Sequence, residues 1–390
     1  MKIRKEYITI FIIQVTEVLG FSLILPFLPF FAEDLGASPF VVGLILASFS
    51  LFQFISAPIM GRLSDFYGRK PLLILSQLST FISFLILGFA NSLWMIFLSR
   101  IVDGLLGSNF TIAQAYLTDL SSKEDRSKVF GLSGAAFGFG FLIGPAIGGS
   151  LSRFGYSLPA FLAAGVSLIT IITTFIFLPE TVKKKENVKF DFKIFNTADF
   201  KKYFSNSKIS LELGQFFAYI LTHALWVSSF ALYARRQLHL EASDIGYMLA
   251  YVGFISVILR GVLLGRIIDF FGERNLKIGG TVSMIIGLVL SIFINQWWMF
   301  LVVMTFFAIG SGLLRPIIMA DISRSVSFEE QGAIIGFTNS LGSLSRIFGP
   351  LIGGFMINNF FPGSLGIIAA LVMSAGLVLV IKENNSKKPS

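Results

Sequence analysis

Twelve stretches of this chain are apolar enough and long enough to cross a lipid bilayer, and that leaves few folds open to it. A helix needs about 20 mostly apolar residues to traverse the hydrocarbon. Inside it, only a helix or a closed barrel satisfies every backbone N–H and C=O. The stretches are 7–31, 40–60, 71–89, 93–117, 128–150, 158–178, 209–233, 245–264, 276–294, 297–319, 332–358 and 365–381. Barrel strands alternate and run to about 10 residues; these runs are longer and do not alternate. The sequence therefore predicts an all-α polytopic membrane protein with twelve transmembrane helices. Charged residues make up 14% of the chain, against roughly 25% in soluble domains. The opening segment carries Lys2, Arg4 and Lys5, as a signal peptide would. The apolar run behind it is too long for a signal core, contains Glu17 and lacks a small-residue cleavage site, so it is expected to stay as the first span.

The distribution of Lys and Arg sets the expected orientation. With the N-terminus in the cytoplasm, inner segments hold 24 of them, outer segments hold 3 (Arg153, Arg235, Arg236), and Arg100, Arg260, Arg315 and Arg346 fall within spans. That bias obeys the positive-inside rule with both termini in the cytoplasm of an inner (cell) membrane protein. The net charge of +9 then reports topology and contact with anionic lipid, not nucleic acid.

Two halves are legible. Residues 179–208 form the only long polar stretch, with Lys183, Lys184 and Lys185 and five further lysines, and it divides the spans six and six. The expected domains are a first bundle over 1–178, a cytoplasmic linker over 179–208 and a second bundle over 209–390. Gly61-Arg-Leu-Ser-Asp65-Phe-Tyr-Gly68 recurs 204 residues later as Gly265-Arg-Ile-Ile-Asp269-Phe-Phe-Gly272, and Gly144-Pro145-Ala-Ile-Gly148-Gly149 recurs 205 later as Gly349-Pro350-Leu-Ile-Gly-Gly354. Two blocks at nearly one offset indicate pseudo-symmetric six-helix bundles, an arrangement that places a substrate site near the midplane.

Several chemistries are excluded. Zero cysteines rule out disulfides and thiolate sites. Two histidines, His223 and His239, and the absence of a phosphate-binding G-x-x-x-x-G-K-[ST] loop leave no signal for a metal or nucleotide cofactor. An intramembrane enzyme would need paired ligands or a catalytic loop that the sequence lacks.

At its motifs the chain resembles the major facilitator superfamily. Gly61-Arg62-Leu63-Ser64-Asp65-Phe66-Tyr67-Gly68-Arg69-Lys70-Pro71 is similar to that family's motif A, Arg100-Ile-Val-Asp103-Gly104 to motif B, and Gly138 through Gly149 to motif C, which the family associates with antiport. The first span, from Glu17-Val-Leu-Gly20 to Pro26-Phe-Leu-Pro29, is similar to twelve-span tetracycline/proton and multidrug/proton antiporters. The resemblance implies the major facilitator fold and proton-coupled efflux of small lipophilic or cationic compounds by alternating access. It also implies that Gly61, Asp65, Gly68, Arg69 and Asp119, with Asp269 in the second half, brace one state of the cycle. The chain departs from the tetracycline group in having Glu17 where Asp is usual, no acid in residues 278–294, and Glu273 where the first motif A has Arg69.

Charges inside spans are costly and default to function. Glu17 stands ten residues past Tyr7, roughly 15 Å deep, with Gln14 on the same face. Arg100 and Asp103 begin a stripe that continues through Gly107, Thr111, Gln114 and Thr118. Glu17 is expected to titrate, with Arg100 tuning it and Asp103 as second carboxylate. In the second half Glu212, Gln215, Tyr219, His223 and Trp226 share one face, as do Asn339, Ser343 and Arg346. Gln14, Gln114, Tyr219, His223, Trp226, Asn339 and Arg346 are the expected cavity lining. An Arg260 partner is expected for Glu212. Gly144, Pro145, Gly148, Gly349 and Pro350 are expected to kink and closely pack their helices. Most of the 44 phenylalanines are expected to face lipid or fill packing. The expected partners are a small-molecule substrate, protons and membrane lipid around a monomer. An exporter or flippase of amphiphilic, lipid-linked metabolites is the alternative.

Overall fold

The computed structural model describes residues 5–120, 126–182, 203, 205–327 and 330–386. Most of the expected linker, including Lys183, Lys184 and Lys185, lies outside the described residues. Twelve membrane-length helices are present: α1 (Ile8–Asp34), α2 (Pro39–Tyr67), α3 (Arg69–Gly88), α4 (Leu93–Leu120), α5 (Ser133–Ser152), α6 (Ser157–Phe177), α7 (Ser207–Leu238), α8 (Ala242–Phe271), α9 (Glu273–Phe293), α10 (Trp297–Arg324), α11 (Ala333–Asn359) and α12 (Ser364–Glu383). Among the described residues there is no strand.

Helix ends follow local chemistry. α7 starts where the Asn206 side chain accepts the Lys208 and Ile209 N–H groups at 3.1 and 3.3 Å, and it stops where His239 turns left-handed (φ 53°) beside Arg235 and Arg236 in the last turn. The turn before α3 needs Gly68 at φ 105°, and the matching turn before α9 needs Gly272 at φ 74°.

Three spans are interrupted. α1 breaks at 25–27, around Pro26, which has no N–H to donate. α4 breaks at 107–108, between Leu106 and Asn109. α8 relaxes into a π-helical turn over Leu259–Leu263, a departure found mostly at functional sites.

The helices group into two compact units: Met1–Ser38, Ser48–Phe192 and Glu241–Gly253 in one; Pro39–Ala47, Lys193–Leu240 and Phe254–Ser390 in the other. Inside the first, α1 packs along α5 and α6, and α3 along α4 and α6. Inside the second, α7 packs along α11 and α12, and α9 along α10 and α12. The internal pairing is the same at equivalent helices, as the sequence repeat requires. Many large apolar side chains point outward, among them Phe139, Ile169, Phe175, Phe270 and Leu371, which suits a lipid-facing surface.

Candidate functional site

Polar side chains gather in the interior of the first unit, where α1, α3 and α4 meet. The Glu17 carboxylate accepts from Asn109 Nδ2 at Oε2, 2.7 Å away. The same Asn109 nitrogen donates to Thr80 Oγ1 at 3.0 Å, and Thr80 donates to Asp103 Oδ1 at 2.8 Å. Asp103 Oδ2 lies 3.9 Å from Arg100 Nη1. Arg100 completes its shell with Ser99 Oγ at 3.0 Å and Ser83 Oγ at 3.2 Å, both from Nη2. Glu17 and Asp103 are thus the two ends of one hydrogen-bonded chain.

Glu17 and Arg100 do not pair directly. Arg100 and Asp103 are three residues apart on one helix face, so that ion pair forms locally. The break in α4 begins the next segment at Asn109, and it is this amide that meets α1. With both acids ionised, two carboxylates face one guanidinium, and the cluster carries one net negative charge.

The cluster also has spare polar capacity. Glu17 Oε1, both amide atoms of Gln14, Gln77 Oε1, Asn109 Oδ1, Ser76 Oγ and Ser108 Oγ are buried with no hydrogen-bond partner among the described residues. Native interiors leave few such atoms. These seven atoms lie on three neighbouring helices.

The other expected lining residues divide. Gln114 is half-buried, and Asn339 and Arg346 are exposed. Tyr219 is buried, with its hydroxyl donating to the Ser311 carbonyl at 3.4 Å; its ring lies 6.0 Å from that of half-buried His223. Trp226 is 1% exposed and packs among Tyr233, Phe300 and Phe307, so it fills the core of the second unit. Glu212 accepts from Ser325 Oγ at 2.9 Å and lies 4.0 Å from Lys208 Nζ. The expected Arg260 partner is replaced, since Arg260 donates to the Ser311 carbonyl instead.

At the turn between α2 and α3, buried Arg69 binds Asp119 Oδ2 at 2.9 Å, Asp65 Oδ1 at 2.5 Å and Ser64 Oγ at 2.7 Å. Glu180, just past α6, accepts the Arg69 and Lys70 N–H groups at 2.9 and 3.1 Å. It thereby caps α3 with a negative charge at the positive end of the helix dipole. A Cβ at Gly68 would meet that carboxylate, with Glu180 Cδ at 2.8 Å. Gly61, in α2, has more room, the methyl of Thr111 standing 3.9 Å from its would-be Cβ.

The equivalent turn of the second unit has the opposite polarity. Glu273 pairs with Arg324, which also holds Asp321 Oδ1 at 2.8 Å. Asp269 is exposed and makes no ion pair among the described residues.

The glycine motifs make backbone contacts. Along α5, a Cβ at Gly144 would strike Ser22 Oγ, one at Gly148 the Leu23 carbonyl, and one at Gly149 would lie 2.8 Å from Gly246 Cα of α8. Along α11, a Cβ at Gly349 would lie 2.8 Å from the Ala224–Leu225 backbone, and Gly354 and Pro350 face Pro39, Phe40 and Gly43 of α2. Pro145 and Pro350 both lie inside their helices; their carbonyls stand against Gly246 and Gly43 respectively.

The chain matches the profile of the Major Facilitator Superfamily over residues 10–260 and 211–390. It belongs to that superfamily. The tetracycline resistance protein of class H from Pasteurella multocida is 29% identical over 385 residues, covering 96% of this chain and 95% of that one. Multidrug resistance protein 2 of Bacillus subtilis (strain 168) is 28% identical, covering 98% and 97%. The crystal structure of the peptide transporter POT superposes with a TM-score of 0.78 at 12% identity, covering 98% of this chain and 94% of that one, a likeness of fold alone. The chain is a multi-pass membrane transporter of this superfamily, not an enzyme.

Within this superfamily fold, sequence reasoning passed over several residues. Thr80, Ser83, Ser99 and Asn109 are lone polar residues whose partners depend on helix rotation. Lys277 counts as an inner surface charge in the sequence, yet it is 3% exposed and holds Asp321 at 2.8 Å and Glu383 at 2.7 Å. The signal that points to this network is a charge near one end of each of three helices, Lys277 in α9, Asp321 in α10 and Glu383 in α12. Gly43 and Gly246 were findable as well, since they stand at nearly the repeat offset in Val42-Gly43-Leu44 and Ile245-Gly246-Tyr247.

Proposed function

We propose that this transporter is a proton-coupled efflux antiporter for small lipophilic or cationic compounds. It works by alternating access of its two halves, in the inner (cell) membrane, with both termini in the cytoplasm. The observation that carries this reading is the charge count of the buried cluster: Glu17 and Asp103 against Arg100, all joined by Asn109 and Thr80. One positive charge neutralises that cluster, and either a proton or a cationic group supplies it. Mutual exclusion of the two is the physical content of antiport.

Glu17 is the acid we assign to titration. Its Oε1 has no hydrogen-bond partner among the described residues, whereas Asp103 is held by Arg100 and Thr80. The relatives named for tetracycline and multidrug resistance support efflux as the direction.

The Arg69–Asp119–Asp65 knot with Glu180 acts as the gating brace on the inner side, and the Glu273–Arg324 pair serves in the second half. The glycine contacts of α5 and α11 are the surfaces along which helices shift. Both rest on backbone proximity, where no side chain has to move aside.

A second reading, export of anionic amphiphiles, is favoured by the arginines of the second unit. Purified protein in liposomes with an imposed proton gradient tests the main one. Uphill movement of a cationic dye that collapses with the gradient is the expected outcome; dye movement indifferent to the gradient refutes coupling.

A further inference from the structure

Three arginines of the second unit have no carboxylate to answer them. Arg260 lies in the π-helical turn of α8, Arg315 in α10 and Arg346 in α11, each roughly 14–20 Å from the inner end of its helix. All three side chains are exposed, and none makes an ion pair among the described residues. Arg260 Nη2 donates to the Ser311 carbonyl at 3.2 Å. Arg346 Nη2 donates to Ser343 Oγ of its own helix at 3.1 Å.

Four carboxylates of this unit are committed elsewhere, and Asp269 sits exposed in the last turn of α8. Asp321 and Glu383 hold Lys277, Glu273 holds Arg324, and Glu212 accepts from Ser325.

The three guanidinium groups belong to one locality. Tyr219 and Arg260 converge on the same Ser311 carbonyl, and Arg315 follows Ser311 by one helical turn. The charge of Arg315 acts on Tyr219, His223, Arg260 and Arg346. A glycine leaves space beside Arg346: a Cβ at Gly342 would meet only Arg346 Nη1, at 3.6 Å. Half-buried His223 supplies ring surface at this depth, backed by buried Phe307 at 5.6 Å between centroids. Like charges held together in a span repel and are costly to insert. A compact anion relieves both costs, and guanidinium groups match carboxylate and phosphate oxygens in a bidentate fork.

We propose that Arg260, Arg315 and Arg346 form an anion-binding site within the C-terminal half, selecting lipophilic molecules that carry a carboxylate, phosphate or sulfonate. The proposal rests on the reading of this chain as an exporter and deepens its second form, the export of anionic amphiphiles. The anionic group comes either from a diffusible organic anion or from a lipid headgroup.

The test uses the full-length protein in phosphatidylcholine nanodiscs, with phenylglyoxal modification of each arginine read by mass spectrometry. Carboxyfluorescein represents the diffusible anion, lysophosphatidate the headgroup, and ethidium is the cationic control. At ten times its Kd, a binding anion slows modification of Arg260, Arg315 and Arg346 about tenfold, while exposed Arg153 and Arg274 react as before. Protection by carboxyfluorescein alone assigns a diffusible substrate, by lysophosphatidate alone a headgroup, and by both the shared chemistry; each supports the site. Protection by neither, or equally by ethidium, overturns it. As a second measurement, Arg315→Gln weakens carboxyfluorescein binding about 10- to 100-fold, with Arg315→Lys between it and the parent; unchanged binding by Arg315→Gln overturns the proposal. Failure of the site is separable from failure of the transport reading. Uphill ethidium movement without anion protection sinks only the site. Anion protection without transport of any of these probes sinks only the antiporter.

Discussion

Replacing Glu17 by Gln removes the one carboxylate oxygen of the acid cluster that is buried without a partner, and the effect on proton competition follows from counting charges. In the parent protein, Glu17 and Asp103 oppose Arg100, so one proton brings the cluster to neutrality. If that proton excludes a cationic ligand, the apparent Kd rises as pH falls, with a limiting slope of one decade per pH unit, about 1.4 kcal/mol each. Across two pH units the change approaches a hundredfold. Glu17→Gln is neutral at every pH, so its ligand affinity should be flat and near the acid-limit value of the parent. The Asn109 amide still has an oxygen to donate to at 17, which limits structural damage. The assay is equilibrium binding of a cationic dye to the protein in nanodiscs between pH 6 and 8, for the parent, Glu17→Gln and Asp103→Asn. A parental slope near one that survives in Glu17→Gln refutes the assignment. A slope near two shows that Asp103 takes a second proton and that the charge count is wrong by one.

Lys277→Met removes the cation that neutralises buried Glu383 and one of the two cations on Asp321 and should cost about 3–5 kcal/mol, visible as a lower melting temperature in detergent; Lys277→Met with Glu383→Leu should recover part of it. Arg69→Ala should abolish transport while leaving protein in the membrane, and a thermal double-mutant cycle with Asp119→Ala should give a coupling of about 1.5–3 kcal/mol. Glu273→Arg should lose under about 1 kcal/mol, because its pair is solvent-exposed, and adding Arg324→Glu should recover only part of it in the thermal melt, since a carboxylate at 324 then faces Asp321. Gly148→Val should prevent the approach of α5 to the Leu23 carbonyl and eliminate transport, whereas valine at Gly134, where a Cβ meets nothing within 4 Å, should be tolerated.

The spans were readable because every backbone polar group in hydrocarbon demands an internal partner, and no short motif overrides that. Their ends were less so. α2 continues to Tyr67 and α10 to Arg324, past the expected ends at 60 and 319, because their polar ends find partners at the neighbouring turns. The Arg100–Asp103 pair was legible as an i, i+3 spacing. The bridge from Asp103 to Glu17 was not, since it needs the α4 break at Gly107–Ser108 and the rotation of α3 that presents Thr80 to both neighbours. Trp226 shows the opposite error. Its spacing put it on the Tyr219–His223 face, but a large ring at that position gains more from packing on Phe300 and Phe307 than from lining a polar surface. Arg260 and Glu212 lie on different helices, and no one-dimensional periodicity relates the turns at which their side chains leave.

The reversed polarity of the two inner turns limits how this duplicated chain can be recombined. Transplanting 61–71 onto 265–275 would set a guanidinium at 273 against Arg324. The turn and the helix that answers it, α4 in one repeat and α10 in the other, are inheritable only together, and a crossover between the repeats that separates them sets two like charges face to face at that end of the bundle.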